Sequence, residues 1–365
     1  MTATLASSDS VGMPLLVNRT QLAELATRHR ILGRGGAGFP LARKISALPK
    51  RGTVVIANCC EGDPTSRKDA TYIGNSPELF YSGVGLAAHA LRARRTILAV
   101  HAGTTIETTL RSTAPAWMEI LAVPALYVAS EATALVNYLN TGLARPAGSI
   151  TLPTTAGVDG APTLISNVET FVHLAQAARG ELDTPGRRQM LSTVTTSNRR
   201  QVIAHRADST VERVLRAAAG DEGEWILAGG ITGRWFHRAE IGSLPVGTLP
   251  GLPSYVILDR DSCPIGQTAR MLADISRVSA GQCGPCIFGL PAISTDMRDL
   301  VRGDSRAYAR LRRRLPVIAG RGACAHPTGA VGLAASALEI YDRGHRCSAR
   351  CDTAGVASRL ARRLR

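Results

Sequence analysis

Apolar residues recur at helical spacing in some stretches and form short continuous runs in others, and the two periods divide the chain into elements. Residues 21–32 carry the helical pattern, with Asn18 or Thr20 as N-cap, and run into a glycine cluster. A strand over 54–58 follows, then a helix over 77–93, a strand over 95–101 and a helix over 104–112. A strand over 125–129, a helix over 131–139 and a helix over 167–178 complete the first region. Strands alternating with crossover helices predict a mainly parallel α/β sheet. The stretch 145–162, rich in Pro, Gly and Thr, reads as a long loop. From 189 to 258 the pattern changes to short β-like runs (MLSTVTT, QVIAHRA, EWILAGG, SYVILD) around one helix over 210–218, a small α+β module. Beyond 265 nearly everything suits helices, over 265–278, 283–301, 305–314 and 330–343, which predicts a helical bundle. No internal repeat is visible.

The 365 residues are enough for two or three domains with their own cores, and 45% hydrophobic against 19% charged residues excludes general disorder. Only 4% are aromatic, whereas Gly 36 and Pro 19 suit a loop-rich ligand-binding protein. Lys plus Arg 43 against Asp plus Glu 28 gives a net charge of +15, densest in RAYARLRRR (306–314) and RLARRLR (359–365). Such runs either dock an anionic partner or lie as solvated helix faces. No aromatics interleave them as stacking onto bases would require, so nucleic acid is not an expected partner. No stretch approaches the roughly 20 apolar residues of a membrane span. The N-terminus has no basic region followed by an apolar core, so no secretory signal is expected. The expected location is cytoplasmic, peripheral to a membrane through partners at most. Eight cysteines (59, 60, 263, 283, 286, 324, 347 and 351) then point to metal or redox chemistry before disulfides.

Three segments carry candidate chemistry. Gly33-x-Gly35-x-x-Gly38 has the spacing of a phosphate-binding glycine loop, but it follows a helix where the usual dinucleotide loop follows a strand. With Gly36 between the fingerprint glycines, Arg34 inside and Lys44 after it, the loop reads as an anion cradle or, blandly, as a flexible turn. Asn58-Cys59-Cys60-Glu61-Gly62-Asp63 ends a predicted strand, where open α/β sheets place ligands. Adjacent Cys59 and Cys60 do not easily converge on one metal and read as buried small residues. Cys283-Gly-Pro-Cys286, with Cys324 38 residues later, presents thiolates at a helix start to an iron–sulfur cluster or to zinc.

Taken together and in order, 33–40 (GRGGAGFP), 58–69 (NCCEGDPTSRKD), 127–135 (YVASEATAL), 166–170 (SNVET) and 279–286 (SAGQCGPC) resemble the NADH-oxidising flavoprotein subunit of respiratory complex I and its relatives in NAD-linked hydrogenases and formate dehydrogenases. The resemblance spans about residues 20–345. It implies an N-terminal extension (1–19), an α/β FMN- and NADH-binding domain (20–185), a ubiquitin-like β-grasp domain (186–260), a helical iron–sulfur domain (261–350) and a basic tail (351–365). It implies that Gly33, Arg34, Gly35, Gly36, Gly38 and Lys44 cradle the FMN phosphate and ribityl chain, with Asn58, Glu61, Ser166 and Asn167 around the flavin. Phe39 would meet the nicotinamide side, and Glu61 and Glu131 would shape the site where hydride arrives. Cys283, Cys286 and Cys324 would hold a [4Fe–4S] cluster.

Departures from the family pattern bear on the same residues. In ESCGxCxPCREG the first ligand position is here Ala280, so a fourth ligand must come from Cys347, Cys351, Cys263 or His326, and Cys347 is the one expected. On the dinucleotide side the acidic pair of YICGEETAL becomes Glu131-Ala132 and the preceding glycine becomes Ser130. An adenine-stacking aromatic becomes Ala47, the KPPFP loop reads SITLP (149–153), Cys60 replaces an Asp and Asp63 a Glu. The function implied is an electron-transfer flavoprotein. It takes electrons from NAD(H) or a substitute donor through FMN to an iron–sulfur cluster, then to a ferredoxin-like or membrane-bound partner subunit. The alternative is a non-catalytic cluster-bearing subunit that keeps the fold.

Overall fold

A computed structural model of the chain describes residues 17–49, 51–148, 151–182, 188–219, 223–345, 347, 351, 357 and 360. In the first region β1 (Val54–Asn58) is the buried centre of a four-stranded parallel sheet with β2 (Arg95–His101), β3 (Glu119–Val123) and β4 (Thr163–Asn167), ordered β3-β2-β1-β4. Both faces of β1 are covered, as its unbroken apolar run requires. On one face lie α1 (Arg19–Arg28), α2 (Leu41–Ser46), α3 (Lys68–Asn75), α4 (Pro77–Ala90), α5 (Thr105–Thr113) and α7 (Val168–Ala178). On the other α6 (Ala132–Thr141) packs with the loop that leads into β4. Gly83 lets α4 approach α7 until a Cβ there would overlap the Phe171 carbonyl.

Chain order reverses between β1 and β4, and in register Asn58 faces Asn167 across that point. Open α/β sheets bind ligands beyond such a switch point. The strand expected over 125–129 is instead a 3₁₀ turn, Tyr127–Ser130, because Pro124 ends the true strand at Val123. Helix α3 and strand β4 are additions to the elements that the apolar pattern predicts.

The second region is a mixed sheet ordered β6-β5-β9-β7-β8, made of β5 (Gln189–Thr195), β6 (Arg200–Arg206), β7 (Trp225–Gly229), β8 (Arg234–His237) and β9 (Leu252–Ile257). The first and last strands, β5 and β9, pair in parallel at its centre. One face packs on α8 (Val211–Ala219) through Val211, Val214 and Leu215, with the single turn α9 (Arg238–Ile241) beside it.

The other face meets the third region, formed by α10 (Pro264–Arg277), α11 (Leu290–Val301), α12 (Ser305–Ile318) and α13 (His326–Asp342). Trp235 joins them by donating Nε1–H to Thr268 Oγ1 at 2.7 Å. The expected helix from 283 begins as a π-helical turn, Pro285–Gly289, before α11. Two arginines of the basic run on α12 are neutralised within the fold, since Arg310 reaches Asp296, Asp299 and Asp304, and Arg314 pairs with Asp296. Most of the tail run lies outside the described residues, as do Ser149 and Ile150 and the N-terminus through residue 16. No helix among the described residues is long and apolar enough to cross a membrane.

Candidate functional site

The glycine loop is closed like a purse. Leu32 and Pro40 form an antiparallel bridge, and Gly33 N–H donates to the Phe39 carbonyl at 2.8 Å. Gly36 (φ +106°) and Gly38 (φ +62°) take left-handed conformations that a side chain would strain. The loop lies on the end of β4, where a Cβ on Gly35 would touch Asn167 Cβ at 3.8 Å. From α2, Lys44 Nζ crosses to the Ile165 carbonyl at 2.9 Å, and burial lowers its pKa. No ion pair neutralises Lys44 among the described residues. Arg34 does not join the cradle: its guanidinium turns away to the buried Glu169 carboxylate, 3.3 Å distant.

Beneath the loop lies a buried polar floor. Asn167 caps α7 by accepting from Glu169 N–H, accepts from Lys68 Nζ at 2.6 Å and donates to Asp69 Oδ2 at 2.6 Å. Lys68, itself buried, also pairs with Asp69 at 2.6 Å and Glu169 at 3.3 Å. Burial alone would raise the Glu169 carboxyl, but Arg34 and Lys68 hold it down at about 2. Glu61, in a left-handed conformation at φ +42°, accepts from Ser66 Oγ–H and from the Asp69 and Ala70 N–H groups, capping α3. Burial and the nearby Asp69 push its pKa up to about 7. Asn58 donates Nδ2–H to the Ser130 carbonyl at 2.7 Å and so fixes the turn before α6. Glu131 caps α6 through the Thr133 and Ala134 N–H groups. Cys59 and Cys60 are buried, as expected, and burial raises both thiols.

Above this floor opens a cavity of about 700 Å³ walled by all three regions. Gly33, Gly35, Gly36, Phe39, Lys44, Asn58, Glu61, Glu131, Ser166 and Asn167 all line it, whereas Arg34 and Gly38 do not. Ser166 Oγ is buried at its wall with no hydrogen-bond partner among the described residues, and Phe39 is 45% exposed at its rim. The far wall carries Cys324 and His326, and His326 packs on Tyr127 with ring centroids 5.3 Å apart. Asp63 ties the wall to the second sheet by accepting from Ile231 N–H at 2.9 Å. Sequence reasoning missed Lys68 as a buried cation and Tyr127 as a wall residue. The only signal was their place in segments 58–69 and 127–135.

Cys283 and Cys286 stand near enough to Cys324 for the three thiols to influence one another. Burial opposes ionisation of Cys283, yet the Ala323 and Cys286 N–H groups and the Cys286 thiol hold its pKa below the usual value. Cys286 is pushed up to about 12 by burial and by Cys283, and Cys324 is raised by burial, with Glu131 and Cys283 adding to it. Three neighbouring thiols, two of them meeting backbone N–H groups, fit an iron–sulfur cluster, with Ala280 offering no ligand. Cys347 is elsewhere. Its Sγ lies 3.9 Å from Cys263 Sγ, in a group with His345 and Cys351, which corrects the expectation of Cys347 as fourth ligand. The reason is α10: Cys263 caps its start, while the motif at 279–286 follows its end, about 20 Å of helix away.

The Nuo51 FMN-binding domain model matches residues 26–176, and that of the NADH-ubiquinone oxidoreductase-F iron–sulfur binding region matches 257–345. Across these regions the chain is similar to NADH-quinone oxidoreductase F subunits. It is 23% identical to the NADH-quinone oxidoreductase F 2 subunit of Rhizobium meliloti over 78% of this chain and 77% of the relative. With the corresponding F subunit of Salmonella typhimurium it shares 25% identity over 85% and 80% of the two chains. The fold matches a chain of the NAD+-reducing [NiFe]-hydrogenase in the H2-reduced state, with TM-score 0.78 and 22% identity. That match covers 92% of this chain, which spans 62% of the hydrogenase chain. As a relative of the F subunits the chain is an NADH dehydrogenase-like electron-transfer protein with an FMN-binding domain and a [4Fe–4S] binding region. The unpartnered Ser166 Oγ and the unneutralised Lys44, both on the cavity wall, fit a flavin nucleotide with its hydroxyls and phosphate.

Proposed function

We propose that this chain takes electrons from NAD(H), or from a substitute donor, in the 700 Å³ cavity and delivers them through the Cys283–Cys286–Cys324 site to a redox partner subunit. The observation that carries this reading is that one cavity is lined both by the glycine loop with Lys44 and by Cys324. FMN, when bound, would supply the conversion of a hydride's electron pair into single-electron steps. Lys44 and the N–H groups of the loop at Gly33–Gly36 would hold its phosphate, and Ser166 Oγ and Asn167 would meet its polar edges. Glu61 and Glu131 bound the side where the donor enters, and Phe39 at the rim offers a face for the nicotinamide.

The division into an FMN domain (20–185), a β-grasp domain (186–260) and a helical cluster domain (261–350) is part of the proposal. The central parallel pairing of β5 with β9 and the crossing helix α8 support the middle assignment. The partner is ferredoxin-like or membrane-bound, and the chain works in the cytoplasm, held to a membrane only through that partner. The test is anaerobic reconstitution with FMN, iron and sulfide, followed by measurement of bound flavin and iron. Near one FMN and four irons per chain is the expected result. Protein that binds neither would contradict the proposal.

A further inference from the structure

Cys263 is buried at the N-cap of α10, where its Sγ accepts from Gly266 N–H at 3.4 Å. After α13 the chain turns at Gly344 (φ +99°) and brings His345, Cys347 and Cys351 to the same point. The four donor atoms all lie within 4.8 Å of one another. Cys263 Sγ stands 3.9 Å from Cys347 Sγ and 3.1 Å from His345 Nε2.

These separations distinguish the possible occupants. Zinc bonds of about 2.3 Å to sulfur and about 2.0 Å to nitrogen, at tetrahedral angles, set two sulfurs about 3.8 Å apart and a sulfur and nitrogen about 3.5 Å apart. A four-iron cluster, with a separate iron behind each ligand, would spread them farther. A disulfide needs its sulfurs at about 2.0 Å, and none of the eight cysteines forms one.

We propose that Cys263, His345, Cys347 and Cys351 bind one tetrahedral zinc ion in a site separate from the Cys283–Cys286–Cys324 trio. Four protein ligands leave no open coordination position, so the ion is structural. It fastens the segment beyond α13 onto α10. The Cys351 carbonyl lies so close to Gly266 that no Cβ would fit there, and Ala357 N–H donates to Gln267 Oε1 at 3.0 Å. Ala357 and Leu360 are buried in the core shared with α10. Thiolate and imidazole donors suit zinc over calcium or magnesium. Metal binding then contributes directly to the folding of this segment.

The experiment is zinc and iron quantification by mass spectrometry on the full chain, purified anaerobically. It compares the wild type with Cys347→Ser and with the double variant Cys283→Ser/Cys286→Ser, and is joined to a cobalt(II) titration of metal-free wild type. The expected result is one zinc per chain in the wild type and the double variant and its loss in Cys347→Ser, which keeps its iron–sulfur absorbance. Cobalt should give the intense visible bands of a tetrahedral thiolate site at one equivalent. The proposal is overturned if Cys347→Ser loses the iron–sulfur absorbance, or if iron replaces zinc at this site. Should a variant fail to fold, the wild-type titration decides, and absence of a tetrahedral cobalt spectrum overturns the proposal.

Discussion

Ser130 Oγ fills the space that any side chain on Gly62 would need. A Cβ there would overlap it and lie 3.2 Å from Ser130 Cβ and 3.3 Å from the Tyr127 carbonyl oxygen. Both residues line the cavity, so position 130, a glycine in the resembling flavoproteins, here narrows the wall beside Gly62. Gly62→Ala should therefore destabilise by about 1–3 kcal/mol through overpacking and lower flavin content. Ser130→Gly should rescue it. The measurement is melting temperature and bound flavin across the double-mutant cycle, and additive effects would refute the coupling.

Lys44→Ala should leave the fold intact and weaken FMN binding about 10- to 100-fold, the size of a lost charge-assisted hydrogen bond of about 1.5–3 kcal/mol. Among the described residues Lys44 has only the neutral Ile165 carbonyl as partner, so its removal strands no buried carboxylate there. Fluorescence titration of the metal-free protein with FMN reads the change. Unchanged affinity would remove Lys44 from the phosphate site.

Lys68→Met acts differently. It leaves Asp69 buried without its cation and Glu169 with Arg34 alone, and breaking such a buried pair costs about 3–5 kcal/mol. Urea unfolding should show a large drop in midpoint, with loss of bound flavin as the Asn167 floor loosens. A variant as stable as the wild type would contradict the description of Lys68 as the hub of that floor.

Glu61 sets a pH dependence. Its pKa is raised from 4.5 to about 7 in the folded chain, so the folded state holds a proton that the unfolded state has released. Its contribution to stability is fully present below about pH 4.5 and is lost as pH rises through about 7. Wild-type stability should accordingly fall relative to Glu61→Gln between these pH values. Parallel pH profiles for the two proteins would refute the assignment.

Much of this architecture is legible from periodicity. The bounds of β1 and β2 follow from their apolar runs, and α10 and α12 start within one residue of expectation. The misplaced third strand shows the limit: 119–123 and 125–129 are both apolar runs, and only Pro124 with the pairing of Glu119 to Ile97 selects the first. Helix α3 hides because Lys68 and Asp69 look like surface residues, and it takes their pairing with each other, with Glu169 and with Asn167, and the Glu61 cap, to account for their burial. At the site, spacing located the glycine loop and the cysteine trio. It could not show Arg34 drawn off to Glu169 or Cys347 drawn off to Cys263, because both depend on contacts across more than 80 residues of sequence.

The central claim is that the cavity still joins a nicotinamide donor to flavin and to the Cys324 site. Its most direct test is an anaerobic ultraviolet–visible spectrum of FMN-loaded protein before and after addition of NADH. Bleaching of the flavin band near one equivalent of NADH is the expected result. A flavin that is bleached by dithionite and untouched by NADH would contradict the nicotinamide assignment, leaving a flavoprotein with a different donor.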